Sequence, residues 1–356
     1  MAERLVLHIG SMKSGTSFIQ NVLGHNKARL QDAGVLFAGE RWRRQVAAVR
    51  DLISRGGDDQ EPLDPQGPWQ TLADEINAWS GTAVVSMEFL GPRSPDKIRQ
   101  IIRSFPDTTS IDAVLTCRDI ARNIPAMWLE SVQNGAVASW ETYLDGVRKH
   151  DGRTPSGRNF WRHQDLVQIA ERWANALGRP FLTLVTVPPR GGPPEVLWER
   201  FASLLDVDPA GCDLDVRANP AIGLATALLL RQLNQQMVVD GTVPGGYDRF
   251  VKHELSKRGL VDRQAQEPRL GLDEAWVTKA GRKQVESLQR AGYRVVGDLA
   301  ELEPRPVPGV QPSDVPQEDV LAAAVDGIAH LVTGWAEAER TSRRQERRRQ
   351  RMEQQA

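Results

Sequence analysis

The chain has 356 residues, and its 40% hydrophobic residues together with 30 glycines give an apolar share of about 48%, within the range of globular proteins. That length suits one large or two modest domains, and the composition excludes disorder for most of the chain. Apolar runs such as Leu228 to Leu230 fall far short of the roughly 20 residues that span a bilayer, which excludes a transmembrane protein.

The start, Met1-Ala2-Glu3-Arg4, leads directly into a strand-like run with no apolar leader, so a cytoplasmic protein is expected. Two cysteines, Cys117 and Cys212, are too few for a disulfide framework or a paired-cysteine metal site, and no metal is expected. The net charge of −1 conceals an uneven distribution. Residues 340 to 356 carry seven arginines against Glu346 and Glu353, a tail of +5 on a body of about −6. Such a run reads as a solvated end rather than a specific nucleic-acid surface.

In chain order, Arg4 to Gly10 reads as a buried strand, followed by a Gly/Ser turn and a helix over Ser17 to Leu30 with apolar positions at Phe18, Val22, Leu23 and Leu30. Short strand runs recur at Gly34 to Ala38, Ala83 to Met87, Ala113 to Cys117 and Phe181 to Val187. Helical patterns separate them. One begins at Ser94-Pro95 and carries Ile98, Ile101, Ile102 and Phe105; another covers Asp165 to Leu177 and stops at Gly178. Strands alternating with helices predict an α/β fold with a parallel sheet flanked by helices. After the Pro188 to Pro194 loop comes a helix with Leu197, Trp198 and Phe201, and from about residue 219 the chain reads as mainly helical. Residues 303 to 316 are proline-rich and read as a linker between a body of residues 1–302 and a C-terminal extension, 317–356. In that extension Leu321, Val325, Ile328, Val332 and Trp335 form one apolar stripe, a candidate for self-association.

The chemistry concentrates in Gly10-Ser11-Met12-Lys13-Ser14-Gly15-Thr16-Ser17, between the first strand and the first helix. A glycine-containing turn there aims backbone N–H groups and a helix N-terminus at an anion. Lys13 precedes Gly15 by two residues, whereas triphosphatases place lysine directly after the second glycine. A lysine within the loop can still neutralise charge on a transferring group, while the Ser14, Thr16 and Ser17 hydroxyls hold a neighbouring phosphate.

The run His8 to Gln20 (HIGSMKSGTSFIQ) resembles the 5′-phosphosulfate loop of sulfotransferases, whose bacterial relatives show K-[ST]-G-T-[ST]-x-x-Q. The resemblance implies a three-layer, nucleotide-kinase-like fold and transfer of a sulfuryl group from 3′-phosphoadenosine 5′-phosphosulfate (PAPS) to a hydroxyl or amine. It implies cofactor-binding roles for Lys13, Gly15, Thr16 and Ser17, with Lys13 at the bridging oxygen; Ser11 and Ser14 of the same loop are further candidate cofactor-binding residues. The strand end Asp112 to Asp119 resembles the family's 3′-phosphate motif, placing Arg118 on that phosphate. The family's serine follows eight residues on, where this chain has Ala126; Ser131 is the candidate replacement.

Glu88, after the strand Ala83 to Met87, is a candidate general base at a position resembling that of glutamate-using sulfotransferases, though Phe89 follows where several of them carry lysine. A structural Glu88, capping a helix or pairing with an arginine, fits the sequence equally. His163, in RNFWRHQD, is a candidate acceptor-pocket or catalytic residue, or else part of a segment whose Phe160 and Trp161 anchor the core. His8 reads as a packed strand residue. Asn219, Arg231 and Asn234 are further polar candidates, and residues 40–80, 135–165 and 240–275 are expected to shape a pocket for a small-molecule or carbohydrate acceptor. Two other readings stay open: an ATP-dependent kinase on the same architecture, and a non-catalytic nucleotide-binding or interaction protein.

Overall fold

The structure, a computed structural model, describes residues 2–54, 64–216, 221–243 and 245–355, with side chains at 54, 348, 349, 351 and 353–355 outside the description. From the N-terminus run β1 (Arg4–His8), α1 (Thr16–His25), α2 (Lys27–Asp32), β2 (Val35–Phe37), α3 (Trp42–Ser54), α4 (Pro68–Ala78), β3 (Thr82–Ser86), α5 (Pro95–Ile102) and β4 (Ser110–Cys117). Then follow α6 (Ile120–Gln133), α7 (Trp140–Lys149), α8 (Pro155–Gln164), α9 (Leu166–Leu177), β5 (Leu182–Thr186) and α10 (Glu195–Ala202). The remainder holds α11 (Leu224–Val239), α12 (Ala275–Ala291), β6 (Arg294–Val296) and α13 (Gln317–Gln355). Among the described residues no helix is long and apolar enough to cross a membrane.

The chain divides into two units. The first comprises Met1–Ile124, Gly146–Asn219 and Glu274–Arg305 and contains the whole sheet. Its six strands are all parallel in the order β2-β3-β1-β4-β5-β6. Alternation along each strand sends side chains to opposite faces. Leu5, Leu7, Val85, Leu115 and Leu184 pack on one face with Trp69 of α4, Ile98 of α5, Trp173 of α9 and Leu288 of α12. Val6, Val84, Val114 and Val185 pack on the other with Ile19 and Leu23 of α1 and Trp198 and Phe201 of α10. The fold class expected from the sequence, a parallel sheet between helical layers with a helical C-terminal extension, is the one observed.

Several boundaries differ, each for a physical reason. β4 starts at Ser110 instead of Ala113, because the charge of Asp112 is matched by the Arg4 guanidinium at 2.5 Å. The single helix expected over Ser17 to Leu30 breaks at Asn26, whose side-chain amide donates to the Val22 carbonyl at 2.9 Å and ends α1. The mainly helical reading after residue 219 misses β6, a three-residue strand joined to β5 through Thr183 opposite Arg294. Its surroundings are fixed by a bidentate Arg200–Glu301 pair at 2.6 and 2.9 Å, a long-range feature with no local signature.

The second unit comprises Pro125–Asp145, Pro220–Asp273 and Pro306–Ala356. Within it Val307 and Val310, from the proline-rich stretch, pair with Leu272 and Leu270. α13 packs through Val320, Ala323 and Gly327; a Cβ on Gly327 would stand 2.7 Å from Leu255 Cδ1, so glycine permits the close approach. The five-residue stripe from Leu321 to Trp335 is exposed.

Candidate active site

The chain leaves β1 towards β2 on one side, and leaves β4 towards β5 on the other. The carboxyl ends of these adjacent strands therefore flank the crevice where open α/β sheets take ligands. Residues 10–15 occupy it. Gly10 has φ +102°, and a Cβ there would meet Glu88 Cβ at 3.0 Å, so the loop's first glycine lies directly against Glu88. Gly15, φ +80°, precedes α1, and a Cβ would strike Leu197 at 2.4 Å. Lys13, half-buried, also adopts a positive φ of 62°, a conformation that costs an L-residue about 1–2 kcal/mol and is held by the bonds around it.

Those bonds begin in a buried polar bed. His8 is fully buried, with Nδ1 2.7 Å from Ser86 Oγ on β3 and Nε2 3.1 Å from Thr116 Oγ1 on β4. Thr116 Oγ1 donates to the Gly10 carbonyl at 2.8 Å and lies 2.6 Å from Ser14 Oγ, which donates to the Ser11 carbonyl. With a proton on His8 Nε2, His8 accepts from Ser86 and donates to Thr116, whose own proton goes to the Gly10 carbonyl as the Ser14 proton goes to the Ser11 carbonyl. Burial pushes the His8 imidazolium down to about 3, so the bed is neutral at physiological pH.

Glu88 opens a short turn after β3. Gln20, the last residue of the loop motif, donates from Nε2 to Glu88 Oε2 and to the Ser86 carbonyl, both at 3.1 Å. The motif glutamine thus orients the candidate base. Phe89 packs edge-on against His163, ring centroids 6.3 Å apart, which brings His163 to the same side.

Arg118 follows β4 directly. The ordinary alternatives for it are taken, since Asp112 pairs with Arg4 and Asp119 with Arg122. Its Nε instead donates to Asn123 Oδ1 at 2.6 Å and its Nη2 to the Arg122 carbonyl at 3.0 Å. Burial, and then the neighbouring Arg122, lower the guanidinium to about 10 against the opposing pull of Asp119, so Arg118 stays charged. Asn123 Nδ2 donates to Gln164 Oε1 at 2.6 Å, and Gln164 Nε2 donates to the Met12 carbonyl at 2.8 Å. Two amide side chains therefore join the strand-end arginine to the β1 loop.

The structure assembles Ser11, Lys13, Ser14, Gly15, Thr16, Glu88, Arg118 and His163 around one loop, with Ser17 exposed in the first turn of α1. Ser131 belongs to the second unit, where its hydroxyl donates to the Trp128 carbonyl at 2.7 Å. There too Asn234 donates to the Val132 and Ala136 carbonyls at 2.8 and 3.0 Å, closing the loop after α6, and Arg231 reaches Val137. Asn219 and residues 55–63 and 244 of the expected acceptor segments lie outside the described residues. Gln20, Asn123 and Gln164 were not singled out from the sequence. Gln20 carried a signal as the end of the loop motif, whereas the other two are common polar residues made significant only by contacts across the fold. Two donors, Ser11 Oγ in the loop and Arg122 Nη2 beside Arg118, are buried with no hydrogen-bond partner among the described residues.

No family model matches the chain, and no curated protein matches it. Among solved structures it is similar to a sulfotransferase from Alicyclobacillus acidocaldarius, at 13% identity and TM-score 0.38, covering 68% of this chain and 98% of that one. It is also similar to the sulfotransferase domain from the curacin biosynthetic pathway, at 12% identity and TM-score 0.32, covering 83% of this chain and 98% of that domain.

Proposed function

We propose that the protein is a sulfotransferase that takes PAPS as donor and a hydroxyl or amine as acceptor. The observation that supports this reading is the Arg118–Asn123–Gln164–Met12 chain, which ties the strand-end arginine to the phosphate-type loop and makes it the candidate for a second anion-binding group. A donor with phosphates at both the 5′ and 3′ positions needs two such groups; the loop sequence supplies the resemblance for the first.

The donor supplies an activated sulfuryl group. The loop amides, the buried Ser11 hydroxyl and the hydroxyls of Thr16 and Ser17 hold its 5′-phosphate, and Arg118 grips the 3′-phosphate with its planar fork. Ser14 contributes through its backbone, its hydroxyl being donated within the loop. Lys13 offers positive charge to the oxygen that leaves. Glu88, oriented by Gln20, takes the acceptor proton as the acceptor oxygen bonds to sulfur and the bond to the 5′-phosphate oxygen breaks. His163 lines the acceptor side. Sulfuryl transfer, like phosphoryl transfer, asks chiefly for positioning and charge stabilisation, which this set of residues provides.

Titration calorimetry tests the reading. Micromolar binding of 3′,5′-adenosine diphosphate, much weaker binding of 5′-AMP, and loss of that preference in Arg118→Ala are expected. Preference for ATP with Mg²⁺ would assign a kinase instead, and bisphosphate binding with no turnover on any acceptor a non-catalytic nucleotide-binding role.

A further inference from the structure

α13 has two faces. Val320, Ala323 and Gly327 pack within the second unit, while Leu321, Val325, Ile328, Val332 and Trp335 project from a face roughly a third of a turn away. All five are between 53 and 71% exposed, an uncommon concentration of large apolar side chains on one helix. Their spacing alternates four, three, four, three, the repeat of a coiled-coil seam rather than of a helix lying on a globular core. Alanines at 322, 329 and 336 recur every seven residues beside the seam and let a second helix approach closely.

We propose that this seam is a homodimer interface in which α13 of one chain packs antiparallel against α13 of a second copy. Charge selects both the occupant and the direction. The helix starts acidic, with exposed Asp314, Glu318 and Asp319 at or just before its first turn, and ends basic, with exposed Arg340, Arg343, Arg344 and Arg347. An antiparallel pair that sets Val325 opposite Trp335 and Ile328 opposite Val332 places residues 316–320 opposite 340–344, acid against base. A parallel pair would set the arginines of both tails side by side. The seam is only two heptads long, yet the first turns of α13 are already held by the packing of Val320, Ala323 and Gly327, so association extends a helix that is nucleated and need not meet that cost again.

Sedimentation equilibrium of the full chain is expected to give a dimer at tens of micromolar, weakened by salt, which screens the end charges. The double substitution Ile328→Glu, Val332→Glu should weaken association about 100-fold or more, with a melting temperature equal to that of wild type when both are diluted to monomers, since both sites are exposed in the monomer. Direction is read by disulfide trapping, the native Cys117 and Cys212 being buried. Val325→Cys mixed with Trp335→Cys should give the cross-linked heterodimer, whereas neither variant alone should cross-link, its two thiols lying about 15 Å apart along the pair. A wild-type chain that stays monomeric, or a glutamate variant that still dimerises, overturns the interface. Efficient cross-linking of either variant alone overturns the antiparallel arrangement.

Discussion

The β1 loop rests on two supports of opposite character. Beneath it lies the His8 bed, neutral, fully buried and with its protons matched to acceptors; beside it lies the Arg118 corner, charged, partly exposed and holding a buried donor, Arg122 Nη2, without a hydrogen-bond partner among the described residues. The bed holds the shape of the loop, and under the proposed function the corner selects what the loop can hold. Damage to the bed should therefore appear as lost stability, and damage to the corner as lost discrimination between ligands.

The largest effect should come from the residue that both supports present. Lys13→Ala is expected to lower turnover 100- to 1,000-fold with sulfate donor bound nearly as well, the scale for removing a preorganised electrostatic donor; near-normal turnover would refute its role. Next is Arg118→Ala, which removes a charge-assisted contact of about 1.5–3 kcal/mol and should weaken 3′,5′-adenosine diphosphate about 10- to 150-fold while leaving 5′-AMP unchanged. Equal loss for both nucleotides would move Arg118 from the corner to the bed.

The connection between the supports is a smaller matter. Gln164→Leu cuts the link between Asn123 and the Met12 carbonyl, each neutral hydrogen bond contributing about 0.5–1.5 kcal/mol. A three- to tenfold loss of bisphosphate affinity is expected, confined to the bisphosphate, with Gln164→Glu restoring part of it only where a proton is retained. A loss shared by 5′-AMP would mean that Gln164 shapes the loop and does not position Arg118.

The bed answers to pH. His8 binds its proton at about 3 in the folded protein against an ordinary 6.5, so between these values the unfolded chain takes up a proton that the folded chain does not. The stability this group contributes is complete above pH 6.5 and falls on acidification towards 3, by up to about 1.4 kcal/mol per pH unit. In His8→Gln that share of the acid sensitivity should vanish, so that denaturant midpoints of variant and wild type converge as pH drops from 7 to 4. Parallel curves would show that His8 is not held neutral.

The contrast between the supports also explains what was legible in the sequence. Lys13, Gly15, Thr16 and Gln20 lie in one contiguous motif, and the strand pattern around it placed the loop, the parallel sheet and Arg118 at the end of β4. The supports are built from pairings between distant residues: His8 with Ser86 and Thr116, Asn123 with Gln164, Gly10 with Glu88. His8 reads correctly as a packed strand residue, but its task of carrying hydrogen bonds between β3 and β4 depends on which strands neighbour β1, and sheet order is absent from local periodicity. The apolar stripe of α13 and its candidacy for self-association were legible; the face that packs on its own unit was not, because it is marked by Gly327, a weak helix former.

The smallest expected effect separates the nucleotide site from the far end of the chain. Loop, bed and corner make the contacts described above within the first unit, whereas residues 340–356 belong to the second. Deleting them should leave bisphosphate affinity within about twofold, since Arg118, the proposed 3′-phosphate contact, is untouched. The same deletion removes the basic half of the proposed antiparallel pair but keeps the apolar seam through Trp335, so dimerisation should weaken and lose most of its salt dependence without disappearing. A tenfold loss of nucleotide affinity in the truncated chain, measured at a concentration where it is still dimeric, would make the arginine tail part of the ligand site and end the separation between the two.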